Sequence, residues 1–223
     1  MEGVVIVLVV AALIAFVAAY WRYQQKRRQE FAAVATSLGW QYSPDDTFGL
    51  LGLPFELLRR GDGRGTENVL WGARAEHDIR GFDYWYYETS TDAQGHRTRS
   101  YSRFSCAVLE LPVECPSTSI SEESLLTRLA DAIGFDDIDF EWEDFNRAMQ
   151  VKSADKRFAN YLIDARAMEW LMANRGWTFM LSGRFLMAVI HRMRPREFPQ
   201  LIEILVAFRA QIPRVVFDTY GHA

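Results

Sequence analysis

The chain has 223 residues with 25 basic and 29 acidic side chains, and hydrophobic residues make up 49% of it. Fifteen Phe, nine Tyr and seven Trp are enough to build a packed core, which excludes a disordered chain. Without Glu2 and the four basic residues up to Arg28, 21 basic and 28 acidic side chains remain. That net charge of −7 argues against nucleic acid as a partner.

An uncharged apolar run opens the chain, from Val4 to Tyr20. As a helix it would span roughly 26 Å, slightly less than the ~30 Å hydrocarbon core of a bilayer. Its Val, Leu, Ile and Phe side chains favour insertion by roughly 3 to 6 kcal/mol. We predict a transmembrane anchor over residues 1–21 whose membrane contacts are Val4, Ile6, Leu8, Leu13, Ile14, Phe16, Tyr20 and Trp21.

A cleaved signal peptide is the alternative interpretation of this run. Such a signal has basic residues before its apolar core and a small-x-small site after it. Here the basic residues come afterwards instead, which favours an uncleaved anchor: Arg22, Lys26, Arg27 and Arg28. Because positive charge stays on the cytoplasmic side, these residues place the N-terminus outside and the rest of the chain in the cytoplasm of the cell.

Small residues recur every four positions within the anchor, at Ala11, Ala15 and Ala19. This spacing lets two helices approach closely, so we predict a homodimer through this face of the membrane helix.

The segments after the anchor predict a basic juxtamembrane helix over 22–39, with Gly39 as its stop, and a single cytoplasmic α+β domain over 40–223. Residues 40–60 contain several prolines and glycines and predict a loop with short turns. Cys106 and Cys115 are too few for a disulfide scaffold, so we expect both to be reduced. The prolines that flank Cys115 predict a loop that exposes its thiol.

Alternating patterns predict strands over 69–76, 80–89 and 101–111, with Pro112 and Pro116 ending the third. A short strand is expected at 149–151, and a hairpin joins 177–181 to 185–192 around Ser-Gly-Arg. Five aromatic residues in the second strand leave open whether its faces are core or binding surface. The residues concerned are Phe82, Tyr84, Trp85, Tyr86 and Tyr87.

Helical spacing predicts helices over 121–133 and 196–211 and a helical pair from Ser153 to Ala173. Sequential strands with inserted helices indicate an α+β fold: a single transmembrane helix, then an antiparallel sheet with inserted helices and a C-terminal helix. This order of elements resembles that of pleckstrin-homology-like barrels.

The strongest concentration of charge is acidic and lies between Asp131 and Asp144. Within it, Asp137, Asp139, Glu141 and Glu143 would share one face of a strand. That row of carboxylates fits either a Ca²⁺ or Mg²⁺ site or, more simply, a solvated edge strand whose charge prevents aggregation.

A basic cluster precedes the last helix and consists of Arg192, Arg194 and Arg196. Guanidinium groups beside a helix start fit a phosphate, a lipid headgroup or an acidic partner, although such a run is also typical of a solvated hairpin end. No catalytic, cofactor-binding or metal-binding motif is recognisable, and we assign no catalytic residue, cofactor or metal ligand.

Residues 145–171 and 179–193, together with the apolar N-terminal span, resemble the bacterial DUF3137 family of membrane-anchored proteins. The resemblance implies a membrane-tethered bacterial domain and no particular activity. We therefore expect a non-enzymatic interaction or scaffold module at the cytoplasmic face of the cell membrane, with the bilayer and an unknown protein as partners. The alternatives are a structural subunit of a larger membrane complex and a metal-dependent enzyme built on the acidic run.

Overall fold

A computed structural model describes residues 2–122, 135 and 137–221 of the chain. It opens with one long helix, α1 (Glu2–Leu38), which runs without a break through the apolar segment and the basic residues after it. The predicted anchor and the predicted juxtamembrane helix are therefore one element. The helix stops at Gly39, whose φ of 69° lies in the left-handed region that glycine adopts without strain.

Among the described residues, six antiparallel strands form one sheet after α1. They are β1 (Gln41–Asp45), β2 (Gly63–Arg74), β3 (His77–Thr91), β4 (Arg97–Glu122), β5 (Met149–Ser153) and β6 (Thr178–His191). The strands pair in the order β1-β2-β3-β4-β5. Strand β6 pairs with the edge of β4 that lies opposite to β3 and β5. The predicted α+β class is confirmed. Among the described residues β1 pairs only with β2, so these pairings leave the sheet open, whereas a pleckstrin-homology likeness implies a barrel.

Strand β4 continues through both prolines that were predicted to end it. Its register against β6 shifts between Glu110 and Cys115, and again between Cys115 and Thr118. Proline has no N–H to donate to a sheet, and an irregular register lets a strand pass such a residue. The predicted strand end at Pro112 was wrong because the neighbouring strands keep β4 paired on both sides of the interruption.

Strand β6 corrects a second prediction, because it is one strand rather than a hairpin around Ser-Gly-Arg. Gly183 has a φ of 55° and lies opposite Cys115, where the register is irregular. This glycine therefore serves a bulge instead of a turn. The whole of β6 stays extended because β4 is long enough to pair with both of its halves.

In the described part of the chain, five shorter helices surround the sheet: α2 (Glu143–Ala148), α3 (Lys156–Leu162), α4 (Ala165–Ala173), α5 (Phe198–Arg209) and α6 (Arg214–Tyr220). The predicted pair over 153–173 is confirmed as α3 and α4. Its cap is Asp155 rather than Ser153, and the Asp155 carboxylate accepts hydrogen bonds from the backbone N–H of Arg157 and Phe158. The predicted C-terminal helix over 196–211 corresponds to α5, which the short helix α6 follows.

The acidic run does not form the predicted strand within the described residues. Asp137 makes an isolated bridge to Lys152, and Glu143 and Asp144 lie in the first turn of α2. Of the predicted helix over 121–133, Ser121 belongs to β4, while residues 123–133 and Asp136 lie outside the described residues. Residues 40–60 contain two 3-10 turns, in line with the predicted short turns, and also strand β1, which was not predicted.

Buried apolar side chains cover both faces of the sheet. One cluster lies under the 3-10 turns and contains Phe82, Tyr84, Tyr86 and Phe104. The larger cluster packs α1, α4 and α5 against the other face and contains Phe31, Phe179, Phe198, Leu205 and Phe208. One face of the aromatic strand β3 is therefore core.

Candidate functional site: an ion-pair hub and a basic groove at the foot of the long helix

The first half of α1 has no protein around it. Its most apolar window has a mean hydropathy of 2.4 and none of it is buried, and α1 is the one helix among the described residues long and apolar enough to span a membrane. The predicted membrane contacts from Ile6 to Trp21 are all more than half exposed, while the Val4 side chain lies outside the described set. A continuous apolar surface of this size indicates association with a membrane.

The second half of α1 belongs to the folded body. The Phe31 side chain is fully buried, and its ring meets that of Phe198 edge-on at 4.7 Å between centroids. It also stacks with Tyr42 at 6.2 Å, and Ala35 is 2% exposed one turn later. The helix that carries the apolar segment is thus part of the core, so no flexible linker separates the two among the described residues.

One ion pair joins α1 to the centre of the sheet. The Arg27 guanidinium donates from Nε to Asp83 Oδ2 and from Nη2 to Asp83 Oδ1, both at 2.8 Å. Arg27 is 5% exposed and Asp83 is 2% exposed. This bidentate geometry is the strongest arrangement available to an arginine and a carboxylate. Arg27, which is predicted to mark orientation as part of the basic collar, also lies inside the fold.

Further polar groups complete what we call the Asp83 hub: Arg27, Asp83, Asn68, Ser105, Arg192 and Glu67. Asn68 Nδ2 and Ser105 Oγ each donate to the Asp83 carboxylate at 3.1 Å, and Arg27 Nη2 also donates to the Met193 carbonyl at 3.0 Å. Asn68 has a φ of 55° where the register of β2 shifts, so this irregularity accompanies an asparagine whose side chain reaches the buried carboxylate. These bonds satisfy a charge that would otherwise be costly to bury.

Tyr42 extends the hub toward the sheet edge. Its hydroxyl donates to Asn68 Oδ1 at 2.9 Å. Burial raises the pKa of Tyr42 to about 12, so the phenol keeps its proton and remains a donor at neutral pH.

Arg192 belongs to the hub, in contrast to the two other arginines of its cluster. Its side chain is 16% exposed, and Nη2 lies 3.1 Å from Glu67 Oε1 and 3.5 Å from Asp83 Oδ2. Arg194 and Arg196 are exposed and form no ion pair within the described part of the chain. The three predicted contact residues therefore have two different roles.

Arg194 and Arg196 line a groove against α1. This basic groove is lined by Tyr23, Lys26, Arg27, Glu30, Arg194, Pro195 and Arg196 and has a volume of about 610 Å³. A 3-10 turn over Pro195–Glu197 shapes its far wall, and the Glu197 carboxylate accepts a hydrogen bond from the Arg194 N–H at 3.0 Å. The structure thus brings two basic segments together that are more than 160 positions apart in the sequence.

A second, partly exposed surface lies on the same face of β3 as Asp83. The rings of Trp85 and Tyr87 stack at 6.5 Å, and Tyr101 lies 5.3 Å from Tyr87. We call these three residues the aromatic ladder. Gly63 and Gly65 of β2 lie beneath it, and a Cβ at Gly65 would come within 2.8 Å of the Trp85 ring. Sequence alone predicted the alternation but not which face is covered.

The cysteines correct another expectation. Cys106 and Cys115 are both free and buried, and burial raises the pKa of the Cys115 thiol to about 12. Cys115 lies within β4 rather than in an exposed loop. Neither thiol is therefore reactive at neutral pH in the folded protein.

Within the described ranges, no group of three or more His, Cys, Asp or Glu side chains lies close enough together to hold a metal ion. The best-defined chemical feature is a dense set of arginine and carboxylate contacts where α1 enters the fold.

Comparisons with known proteins give one match of fold. No family profile matches the chain, and no curated protein matches its sequence. The crystal structure of the mycobacterial trehalose monomycolate transport factor A, TtfA, matches with a TM-score of 0.57 and 13% identity. The match covers 84% of this chain and 96% of that one. This chain therefore shares its fold with that transport factor.

Proposed function

We propose that the chain is a single-pass membrane protein whose folded domain acts without catalysis, as an interaction or scaffold module at the cytoplasmic face of the cell membrane. The Asp83 hub is the observation that carries this proposal. Arg27 follows Trp21 by six residues, a rise of about 9 Å along the helix. A buried ion pair so close to the apolar segment holds the domain in one orientation relative to it.

Fixed orientation is a property that a scaffold needs and that a tethered enzyme does not. A flexible linker would let the domain rotate freely near the membrane. In this chain the helix is continuous and its second half is core, so the aromatic ladder and the sheet edges face defined directions. We infer that these surfaces meet a partner that is itself fixed in the membrane.

The charges around the helix exit support a cytoplasmic position. Arg22, Lys26 and Arg28 are exposed on α1, and folding adds Arg194 and Arg196 at its side. The positive-inside preference counts basic residues close to the end of the span, so it applies to Arg22, Lys26, Arg27 and Arg28, and Arg194 and Arg196 join this cluster only after folding.

The structural neighbour supports an accessory role in a membrane process. TtfA is described as a trehalose monomycolate transport factor. By analogy of fold, we propose that this chain serves as an accessory subunit of a membrane complex, which unites the scaffold and structural-subunit hypotheses. Self-association through Ala11, Ala15 and Ala19, all exposed on α1, remains part of this proposal.

No observation favours the metal-dependent enzyme. The Asp137 carboxylate accepts hydrogen bonds at 3.0 Å from the backbone N–H groups of Ile138 and Val151. Glu143 and Asp144 both pair with Arg147. Asp137, Glu143 and Asp144 thus have structural partners, and no three acidic side chains of the described part of this run lie close enough together to hold a metal ion.

The experiment compares co-purification of membrane proteins with two variants of the full chain in mild detergent. A flexible Gly-Ser segment inserted between Tyr23 and Gln24 breaks helix continuity but leaves the Asp83 hub intact. The same segment inserted beside Gly95, in the exposed β3–β4 turn, is the matched control. We expect a stoichiometric partner with the wild type and the control and loss of that partner with the first insertion. Equal recovery with both insertions, or no stoichiometric partner at all, would overturn the proposal.

Topology is tested separately with a membrane-impermeant maleimide on Ser90→Cys, since Ser90 is exposed. We expect labelling only after the cells are permeabilised, while the unsubstituted chain with its two buried cysteines stays unlabelled throughout. Labelling of intact cells would contradict the cytoplasmic assignment.

A further inference from the structure

We infer that the basic groove binds the phosphodiester headgroup of an anionic membrane phospholipid. This inference rests on the proposed function in one respect, that α1 holds the domain at the membrane. It adds a ligand class and a site, and it is carried by the charge, the depth and the size of the groove.

The groove has positive charge that the fold does not neutralise. Arg27 is paired with Asp83, so the basic lining residues that face outward are Lys26, Arg194 and Arg196. Glu30 is the acidic residue among those that line the groove. Lys26 and Glu30 are 3.9 Å apart and both solvent-exposed, which makes their pairing weak. Arg22 and Arg28 on α1 add two positive charges, and Glu197 beside the groove adds one negative charge. The region then carries a surplus of three positive charges, although the chain as a whole has a net charge of −4.

The groove lies at the depth of lipid headgroups. Tyr20 and Trp21 end the apolar span, and aromatic side chains of this kind favour the membrane interface. Lys26 follows Trp21 by five residues, a rise of about 7.5 Å. The headgroup region on each side of the hydrocarbon core is about 5–8 Å thick. Lys26, and with it the end of the groove nearest the apolar span, therefore falls at the level of the phosphates and not in bulk solvent.

The chemistry and size select a headgroup over a free ion. Guanidinium groups bind phosphate oxygens through paired N–H donors, and the lysine ammonium adds a point charge. A volume of about 610 Å³ is within the range of sites for whole organic ligands and far exceeds what one inorganic phosphate needs. A bound headgroup would give the domain a second attachment to the membrane beside the apolar half of α1.

The test measures thermal unfolding of the delipidated full chain in a neutral detergent. The probes are dioctanoyl phosphatidylglycerol, dioctanoyl phosphatidylcholine and inorganic phosphate. The groove variant is Arg194→Glu/Arg196→Glu. The matched control is Lys156→Glu/Arg214→Glu, which makes the same charge change at exposed residues of α3 and α6 that do not line the groove.

Phosphatidylglycerol should raise the midpoint of the wild type and of the control by about 5–10 °C at a hundredfold excess over Kd. The groove variant should lose this shift, and phosphatidylcholine and phosphate should give little. An equal shift in both double variants would show general attraction to a charged micelle and overturn the site. A full shift with inorganic phosphate would overturn the headgroup as its ligand.

The control for correct folding is the midpoint of thermal unfolding without lipid. In the groove variant this midpoint should be unchanged, because both arginines are exposed. If the groove variant is destabilised, Lys26→Gln replaces it and should reduce the phosphatidylglycerol shift, whereas an undiminished shift would overturn the site. The measurement uses purified chain without any protein partner. Absence of a lipid-induced shift would therefore not affect the co-purification result. Absence of a co-purifying partner would likewise not affect the lipid measurement.

Discussion

The Asp83 hub and the basic groove are built from the same two basic segments, residues 22–28 and 192–196, and they differ in burial. Each segment sends one arginine into the hub, Arg27 and Arg192, and keeps its remaining basic side chains outside. The inner pair contacts carboxylates of the sheet, while Lys26, Arg194 and Arg196 face solvent. Neighbouring residues of one chemical type thus differ in whether they stabilise the fold or offer charge to a ligand.

The physical basis of this difference is desolvation. A buried charge must find a counter-charge and hydrogen bonds within the protein, whereas an exposed one keeps its water. Three predictions test the contrast and another tests the packing of the aromatic ladder, in order of decreasing effect on the free energy of unfolding, all measured on the full chain in detergent.

The largest effect is expected for Arg27→Ala. It leaves the Asp83 carboxylate buried with part of its hydrogen bonds lost, and removal of one partner of a buried pair costs about 3–5 kcal/mol. Denaturant unfolding measures the loss, and Lys26→Ala on the same helix turn is the control. In the double variant Arg27→Ala/Asp83→Ala the cost should be smaller than the sum of the single variants by about 0.5–3 kcal/mol. Strict additivity would show that the pair does not act as a unit.

A smaller loss is expected for Arg192→Ala. This side chain is partly exposed and its partner Glu67 is more so, which lets water replace some of the contact. Loss of a hydrogen bond to a charged group costs about 1.5–3 kcal/mol, and we expect the lower end of that range. A loss of unfolding free energy equal to that of Arg27→Ala would mean that Arg192 is as essential to the hub as Arg27.

Gly65→Ala should cost about 1 kcal/mol, since a Cβ there meets the Trp85 ring and the partly exposed aromatic ladder must shift. Gly52→Ala is the control, because no atom lies within 4 Å of the added carbon. Thermal unfolding of the two variants side by side measures the difference. If Gly65→Ala proves no worse than its control, the ladder is loosely packed against β2.

The smallest effect belongs to the groove itself. Replacing Arg194 or Arg196 by Gln should change stability by no more than about 0.5 kcal/mol, because exposed charges away from a network contribute little. A loss near that of Arg192→Ala would place these residues in the fold and weaken the case that they serve a ligand.

The sequence predicted the elements whose signal is local. An uncharged run from Val4 to Tyr20 is apolar in any fold, and the alternation around Tyr84 and the helical spacing after Phe198 identify a strand and a helix. The same locality explains the errors at Pro112 and Gly183. Both residues favour interruption of a strand in isolation, and their neighbours in β4 and β6 outweigh that preference.

The site shows the same division between local and long-range information. The sequence itself shows that basic residues follow the anchor and that a second basic cluster precedes α5. The sequence could not predict that Arg27 and Arg192 meet at Asp83. Nothing near Asp83 in an aromatic strand signals a buried carboxylate except its place among apolar neighbours.

By itself the sequence determined the apolar helix, its basic flank and the α+β class, because hydrophobic spacing and charge are properties of adjacent residues. Only the tertiary structure decided which arginines are buried, which face of β3 is core, and that residues 26 and 194–196 form one groove. Those outcomes depend on contacts between positions up to 166 residues apart, whose free energy no local pattern contains.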